Sequence, residues 1–535
     1  MNNVLSRCMS AVLVALCGIL SSCASYDVTS PSDYIGPAPR PAGRPAEIPS
    51  PATRPAASQP VGTSGPLEVS VSQAILLALE NNESLAIERF NPQISRTGEQ
   101  IARSAFDPDL TANVSASRTR TATTGEASSV SKSGSAGVGL TQDLPTGTSL
   151  DFSLDSDVDF SPDQWQSRAG LTVTQKLLRG FGLDVNLASL RQARLDVLTS
   201  QYQLRGFAQT LVSDTEKTYW DYLLAQRQIE IVEQSLTLAE NQLRDTQERI
   251  HVGKLAELEQ AAANAEVASR KEALINARSN LQTVQLGLLR LLNPPGKAIF
   301  TRVVVPRDLP AVPALDLGPV EEHVQVGNKL RPDLNEARLR INRGELEIVK
   351  TRNGLLPKMD FFVTLGRTGY ADSFGPSINE ISRGRSYDAM AGLEMEYPPL
   401  NRAAQAQNTR AVITRDQLMQ SLQNAEQLAE LDVRTAYVEI LRDNQQMAAT
   451  TTTRKYKEES LRAEMEKFNV GKSTSLLVAA AQRDLLESQI NEVQAVANYL
   501  KSLVDLYLQD GSLLERRGIA CPGRKTITVT KNPRP

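Results

Sequence analysis

From Asn186 to Ile250 the chain reads as one uninterrupted helix, and no other feature restricts its fold so tightly. Leu211, Thr215, Thr218, Tyr222, Ala225, Ile229, Val232, Leu236, Ala239, Leu243, Thr246 and Ile250 follow one another in steps of four and three. That is a heptad seam held for more than five repeats. With a rise of 1.5 Å per residue, a helix of this span is about 100 Å long. A compact globular domain has no place for it. The seam requires a partner, and the next segment, Glu257 to Leu292, supplies one through Val267, Leu274, Ala277, Leu281, Val284, Leu288 and Leu291. Val252, Gly253 and Lys254 lie in the break between them. The pattern predicts an antiparallel helical hairpin turning at Gly253, a residue free to take a positive φ. A soluble coiled-coil rod has the same pattern.

The second half of the chain restates this organisation. Val470, Gly471 and Lys472 stand 218 positions after the first break, and Tyr437 stands 218 after Tyr219. Ala403 to Phe468 and Ser475 to Leu508 form the matching pair of long segments. Earlier landmarks, Leu85 with Leu334 and Pro108 with Pro357, are 249 apart. The difference, 249 minus 218, leaves 31 extra residues in the first half, between Pro108 and Tyr219. Each half also opens with a helix broken once, near Asn81 to Ser84 in the first and at Arg331-Pro332 in the second. Pro332 lacks an amide hydrogen and biases Arg331 away from helix. An internal two-fold repeat of this length points to a structural assembly rather than an enzyme.

Between the helices the period falls from 3.5 to 2. Leu110, Ala112, Val114 and Ala116 alternate with polar residues; Ala136, Val138 and Leu140 form a second set. Leu150, Phe152, Leu154, Val158 and Phe160 oppose Asp151, Ser153, Asp155, Asp157 and Asp159, and Leu171 and Val173 mark a fourth strand. The second half has two strands, around Phe361 to Leu365 and Ala389 to Tyr397. Strands of about ten residues with one apolar and one polar face suit a membrane barrel, and a soluble antiparallel sheet alternates in the same way. Thr119 to Ser133 and Ser161 to Gln166 are expected as outer loops, and Asp143 to Gly147 as a short periplasmic turn.

The front of the chain reads as an address. Arg7 precedes a short apolar run, Ala11 to Leu20, and Leu20-Ser21-Ser22-Cys23 follows. The run is too short to span a bilayer and suits a cleaved export signal. Its end resembles the lipobox of bacterial lipoproteins, which implies a diacylglyceryl thioether and an acyl chain on Cys23. Ala24 stands where an inner-membrane retention aspartate would be, which implies outer-membrane placement. An ordinary signal peptide is the alternative. Nine prolines between Ser30 and Pro66 then predict an extended tether. The residues from 515 onward, with Arg516, Arg517, Arg524 and Lys525 around Cys521, read as a loosely ordered basic end.

Little here announces chemistry. His251 and His323 are the only histidines and lie far apart in sequence. The aspartates from 151 to 159 spread along one strand face, which favours a polar lumen or exterior hairpin over a calcium site. No glycine loop offers a phosphate cradle, no metal set stands out, and a net charge of -3 gives no nucleic-acid signal.

In order and spacing, twice over, these elements resemble the TolC-type outer-membrane efflux protein family from about Leu67 to Leu514. Phe468-Asn469-Val470-Gly471 resembles its turn into the last long helix, and Tyr437 and the strand-starting Pro357 also fit. The resemblance implies an α+β membrane protein: a homotrimer whose strands make one outer-membrane β-barrel, continued by a long α-helical coiled-coil barrel. It implies docking to a periplasmic membrane-fusion adaptor and, through it, to an inner-membrane pump or ABC exporter. The expected function is a passive exit duct of a tripartite efflux or type I secretion system, with no enzyme activity and no cofactor beyond covalent lipid on Cys23. The alternative is a lipid-anchored periplasmic coiled-coil scaffold that opens no pore.

Several expectations follow from that resemblance. The adaptor-facing tips are Val252, Gly253, Lys254, Val470, Gly471, Lys472, Ser473 and Ser475. The entrance constriction falls at Leu477 and Ala480, where other members carry a pair of aspartates; apolar packing should close it here. The expected segments are a signal peptide (1–22), a lipidated tether (23–66), a first repeat (67–296), a linker (297–319), a second repeat (320–514) and a tail (515–535). Six strands per chain would make eighteen in a trimer, against the family's usual twelve, unless the extra hairpin stays outside the barrel.

Overall fold

The structure is a computed structural model that describes residues 66–121, 129–160, 163–253, 255–296, 299–308, 317–523 and 525–529. One compact unit, residues 57–526, holds nearly all of them, and the description below concerns that unit. Strand β1 (Leu67–Val69) leads into α1 (Val71–Asn81), α2 (Glu83–Glu88) and α3 (Asn91–Arg103). Four strands follow: β2 (Asp109–Thr121), β3 (Ser129–Asp143), β4 (Thr148–Phe160) and β5 (Asp163–Lys176). The long hairpin is α4 (Ala188–His251) with α5 (Leu258–Leu292). After β6 (Val304–Pro306), the second half runs α6 (Val320–Leu330), α7 (Pro332–Asn353), β7 (Lys358–Ala371), α8 (Phe374–Arg383), β8 (Ser386–Glu396), α9 (Arg402–Asn469) and α10 (Ser475–Gln509).

Helix α4 has 64 residues, and its twelve predicted seam positions are all buried or half-buried. The return helices α5 and α10 are equal in length, at 35 residues each. The opening helices start and break for local reasons. Ser70 accepts from the Gln73 amide while the Gln73 side chain accepts from the Ser70 amide, a capping box at the head of α1. The break after α1 falls at Asn82, which turns extended and caps α2 by accepting from Leu85 N at 3.1 Å. The break before α7 falls at Arg331, with Pro332 occupying the first helical position, where a missing amide hydrogen costs nothing.

One tyrosine in each half plays the same part. The Tyr219 hydroxyl donates to the carbonyl of Val69, two residues ahead of α1. The Tyr437 hydroxyl donates to the carbonyl of Gly318, two residues ahead of α6. Each long helix thus holds the start of the opening helix of its own half. Around Tyr219 a core cluster gathers Leu67, Val69, Tyr222, Leu288, Leu292 and Val304, in which β1 and β6 pair in parallel.

The strands form one antiparallel sheet in the order β2-β3-β4-β5-β7-β8. The extra hairpin of the first half, β3 with β4, lies inside that sheet between β2 and β5. Its register keeps the faces in phase: Leu110, Leu140, Phe152, Leu171, Leu365 and Ala389 form one row across all six strands. The strands run farther than their periodicity indicated, so β4 and β5 are separated only by residues 161 and 162. Helix α8 was not expected. It lies on the apolar face over β5 and β7, where Trp165 meets Phe374 edge-on at 5.6 Å and Ser377 reaches Ser167 at 2.7 Å.

A second difference lies after α10. The basic end is held in place as far as Cys521. Arg517 donates to Glu216 of α4 at 3.0 Å, Arg205 pairs with Glu515, and Leu513, Leu514 and Cys521 join a core cluster with Ile75, Leu211 and Val504.

Candidate functional site

The two helical breaks close in the same way. Val252 and Val470 end α4 and α9 with φ near -90° and ψ 10°, and Gly253 and Gly471 follow at φ 74° and 75°. A side chain at either glycine would meet no neighbour, so the left-handed backbone alone favours glycine there. Val252 and Val470 are 63% and 67% exposed, so both valines face outward at corresponding turns. Lys472 is exposed. Lys254 lies outside the described residues.

The breaks also lie beside each other. Arg249 of α4 donates to Asn469 at the end of α9 at 2.8 Å, and its guanidinium lies 4.9 Å from the Phe468 ring centre. Ser475, buried at the head of α10, donates to Glu259 of α5. Ser475 therefore faces the neighbouring hairpin rather than solvent. Ser473 donates to Glu464, and with Lys467 it holds that carboxyl below the usual range. Behind the second break, Phe468, Leu461 and Val478 pack as a small core. Leu477 and Ala480, three residues apart, share the next face of α10. Leu477 is 52% exposed and Ala480 half-buried. The arrangement is a mixed polar and apolar end with a hydrophobic step directly behind it. Arg249 and Glu259, which cross-link the two hairpins, were not among the expected site residues. Their placement at corresponding ends of α4 and α5 was the available signal.

Far from the tips, buried polar groups knit the start of α4 to the chain's last helical segment. Burial pushes the Glu216 carboxyl up, against the pull of Arg517. Burial likewise raises the Cys521 thiol. Gln209 donates to the carbonyl of Gly511 at 2.7 Å, and His323 meets Asp510 at 2.9 Å. These contacts are structural ties between helices.

Comparison with known proteins agrees with this architecture. The outer membrane efflux protein family matches residues 152–294 and 328–512. The pyoverdine export outer membrane protein OpmQ of Pseudomonas aeruginosa is 23% identical over 449 residues, covering 83% of this chain and 85% of its own. The outer membrane efflux protein BepC of Brucella suis is 22% identical, covering 80% of this chain and 82% of its own. Among solved structures, the CmeC outer membrane channel of Campylobacter jejuni superposes with a TM-score of 0.64 at 17% identity, covering 83% of this chain and 86% of that one.

One expectation is corrected by these likenesses. The fold is that of integral β-barrel membrane proteins, so the hold on the membrane is read from the sheet, and the expectation of covalent lipid on Cys23 is withdrawn. The physical reason is that a sheet with a continuous apolar face supplies its own hold on the membrane. Cys23 itself lies outside the described residues. With the family goes the function class: an outer-membrane efflux channel and not an enzyme, which sets aside the pore-less scaffold. The chain is a member of the TolC-type outer membrane efflux protein family.

Proposed function

We propose that this protein is the outer-membrane exit duct of a tripartite efflux or type I secretion system. The observation that carries the proposal is the junction, in one chain, of two long helical hairpins with strands long enough to cross a bilayer. Three copies join their sheets into a barrel and their hairpins into a coiled-coil tunnel through the periplasm. The two halves act as an internal repeat, each giving one helical hairpin to the tunnel wall. The duct is passive: energy comes from an inner-membrane pump or ABC exporter, reached through a periplasmic adaptor.

The tips at Val252-Gly253 and Val470-Gly471-Lys472-Ser473 meet the adaptor, because they end the longest helices and lie farthest along them from the strands. The entrance narrows at Leu477 and Ala480 and closes by apolar packing. Residues 1–22 serve as the export leader and the proline-rich stretch as a spacer. Purified protein in planar bilayers tests the duct, and the paired variant Leu477→Asp with Ala480→Asp tests its entrance. The native protein should conduct. The variant should add two rings of three carboxylates and show conductance blocked by divalent cations. Absence of any pore sinks the duct; an unblocked variant moves the constriction elsewhere.

A further inference from the structure

The sheet ends in two unpaired edges. β2 is exposed along its whole length and β8 along nearly all of it, although both carry the apolar alternation of the inner strands. Each edge presents backbone donors and acceptors that lipid cannot satisfy, so an open sheet cannot persist in a membrane. Six strands alternating in direction leave β2 and β8 antiparallel to one another. In copies related by rotation, β8 of one therefore meets β2 of the next in the antiparallel sense that the rest of the sheet uses.

The stagger of the sheet also fits closure. Along the row from Leu110 to Ala389, the first residue lies one position from the Asp109 end of β2. The last lies seven positions from the Glu396 end of β8. The row thus climbs six residues over five strand-to-strand steps. A climb of about 1.2 residues per strand corresponds to a tilt of about 40°, within the range of closed transmembrane barrels. A flat soluble sheet needs no such progression.

We infer that the β8 edge of one copy pairs with the β2 edge of the next, and that three copies close a single barrel of eighteen strands. The inference rests on the trimeric duct proposed above and adds the strand count and the seam. The hairpin β3–β4 cannot leave the barrel wall without breaking its pairing to β2 on one side and β5 on the other. At a strand spacing of about 4.8 Å and a 40° tilt, eighteen strands give a backbone radius of about 18 Å, against about 12 Å for twelve. The added hairpin also carries Asp151, Asp155, Asp157 and Asp159 on the polar face, where each chain places them in the lumen.

Continuing the climb puts Ala389 opposite Ala116 or Arg118 of the neighbour, and Leu393 opposite Ala112 or Val114. The test uses the full chain with Cys23→Ser, Cys521→Ser and Leu393→Cys, combined with Ala112→Cys or Val114→Cys. One of the two combinations should oxidise to a disulfide-linked trimer on a non-reducing gel. Asp155→Asn with Asp157→Asn and Asp159→Asn, in otherwise native protein, should lower cation over anion selectivity by several-fold. A trimeric, conducting protein that forms no crosslink between copies and keeps its selectivity overturns the eighteen-strand barrel while the duct stands. A monomer without a pore overturns both.

Discussion

A single buried carboxylate shows how the body is tied together and how it should respond to pH. Glu216, 3% exposed, faces Arg517 from the far end of the chain. Burial raises its pKa more than the guanidinium lowers it, so the folded value lies above the ordinary 4.5. A raised carboxyl contributes stability that is complete below 4.5 and is lost as pH rises through the folded value. Glu216→Gln is neutral in both states and should remove that loss. Its melting temperature should change less between pH 4.5 and 8 than that of the native protein; an unchanged slope in thermal melts would refute this. The contact was illegible in the sequence. Nothing about Arg517 separates it from the arginines around it, and its partner stands 301 residues away. By contrast Tyr219 and Tyr437 were visible as equivalent by spacing alone, although their shared hydrogen bond was not.

At the scale of elements, periodicity carried most of the information. The heptads of α4 and the alternation of the strands each repeat often enough for the pattern to exceed chance, and the ends of the four long helices fell within two residues of their expected places. Helix α8 has ten residues, fewer than three turns, and its apolar positions Phe374, Ile378 and Ile381 do not stand out in a short loop. Its seat depends on Gly369, where an added methyl would lie 2.0 Å from the Ser377 carbonyl oxygen. Gly369→Ala should lift α8 from the sheet, costing about 1–3 kcal/mol. Faster proteolysis between β7 and β8 is the measurement, and native resistance would contradict it. The tip glycines are legible because their backbone requires them. Gly253→Val and Gly471→Val force a β-branched residue to positive φ, at a cost of about 1–2 kcal/mol each. The expected outcome is faster hydrogen exchange in the last turns of α4 and α9, with conductance retained. Exchange confined to the strands would contradict it.

For the whole molecule, two kinds of surface coexist in one chain: long amphipathic helices suited to water and a sheet whose apolar face is suited to lipid. No described helix is long and apolar enough to cross a membrane, and the sheet takes that role in this family. The strand count of the sheet was left open by the 31-residue excess, because an inserted hairpin alternates in the same way inside or outside a sheet; the pairing of β3 and β4 with both neighbours puts it within the sheet of one chain. The core cluster that joins Ile75 to Leu513 carries a further consequence, and it concerns time. Those residues are 438 positions apart, and at roughly 5–20 residues per second tens of seconds of synthesis separate them. For part of that interval β2 to β5 have been made while β7 and β8 have not, and the free edge has no partner. A growing chain of this kind is exposed to wrong pairing before its last segment arrives, so its safe handling depends on being kept extended until synthesis is finished.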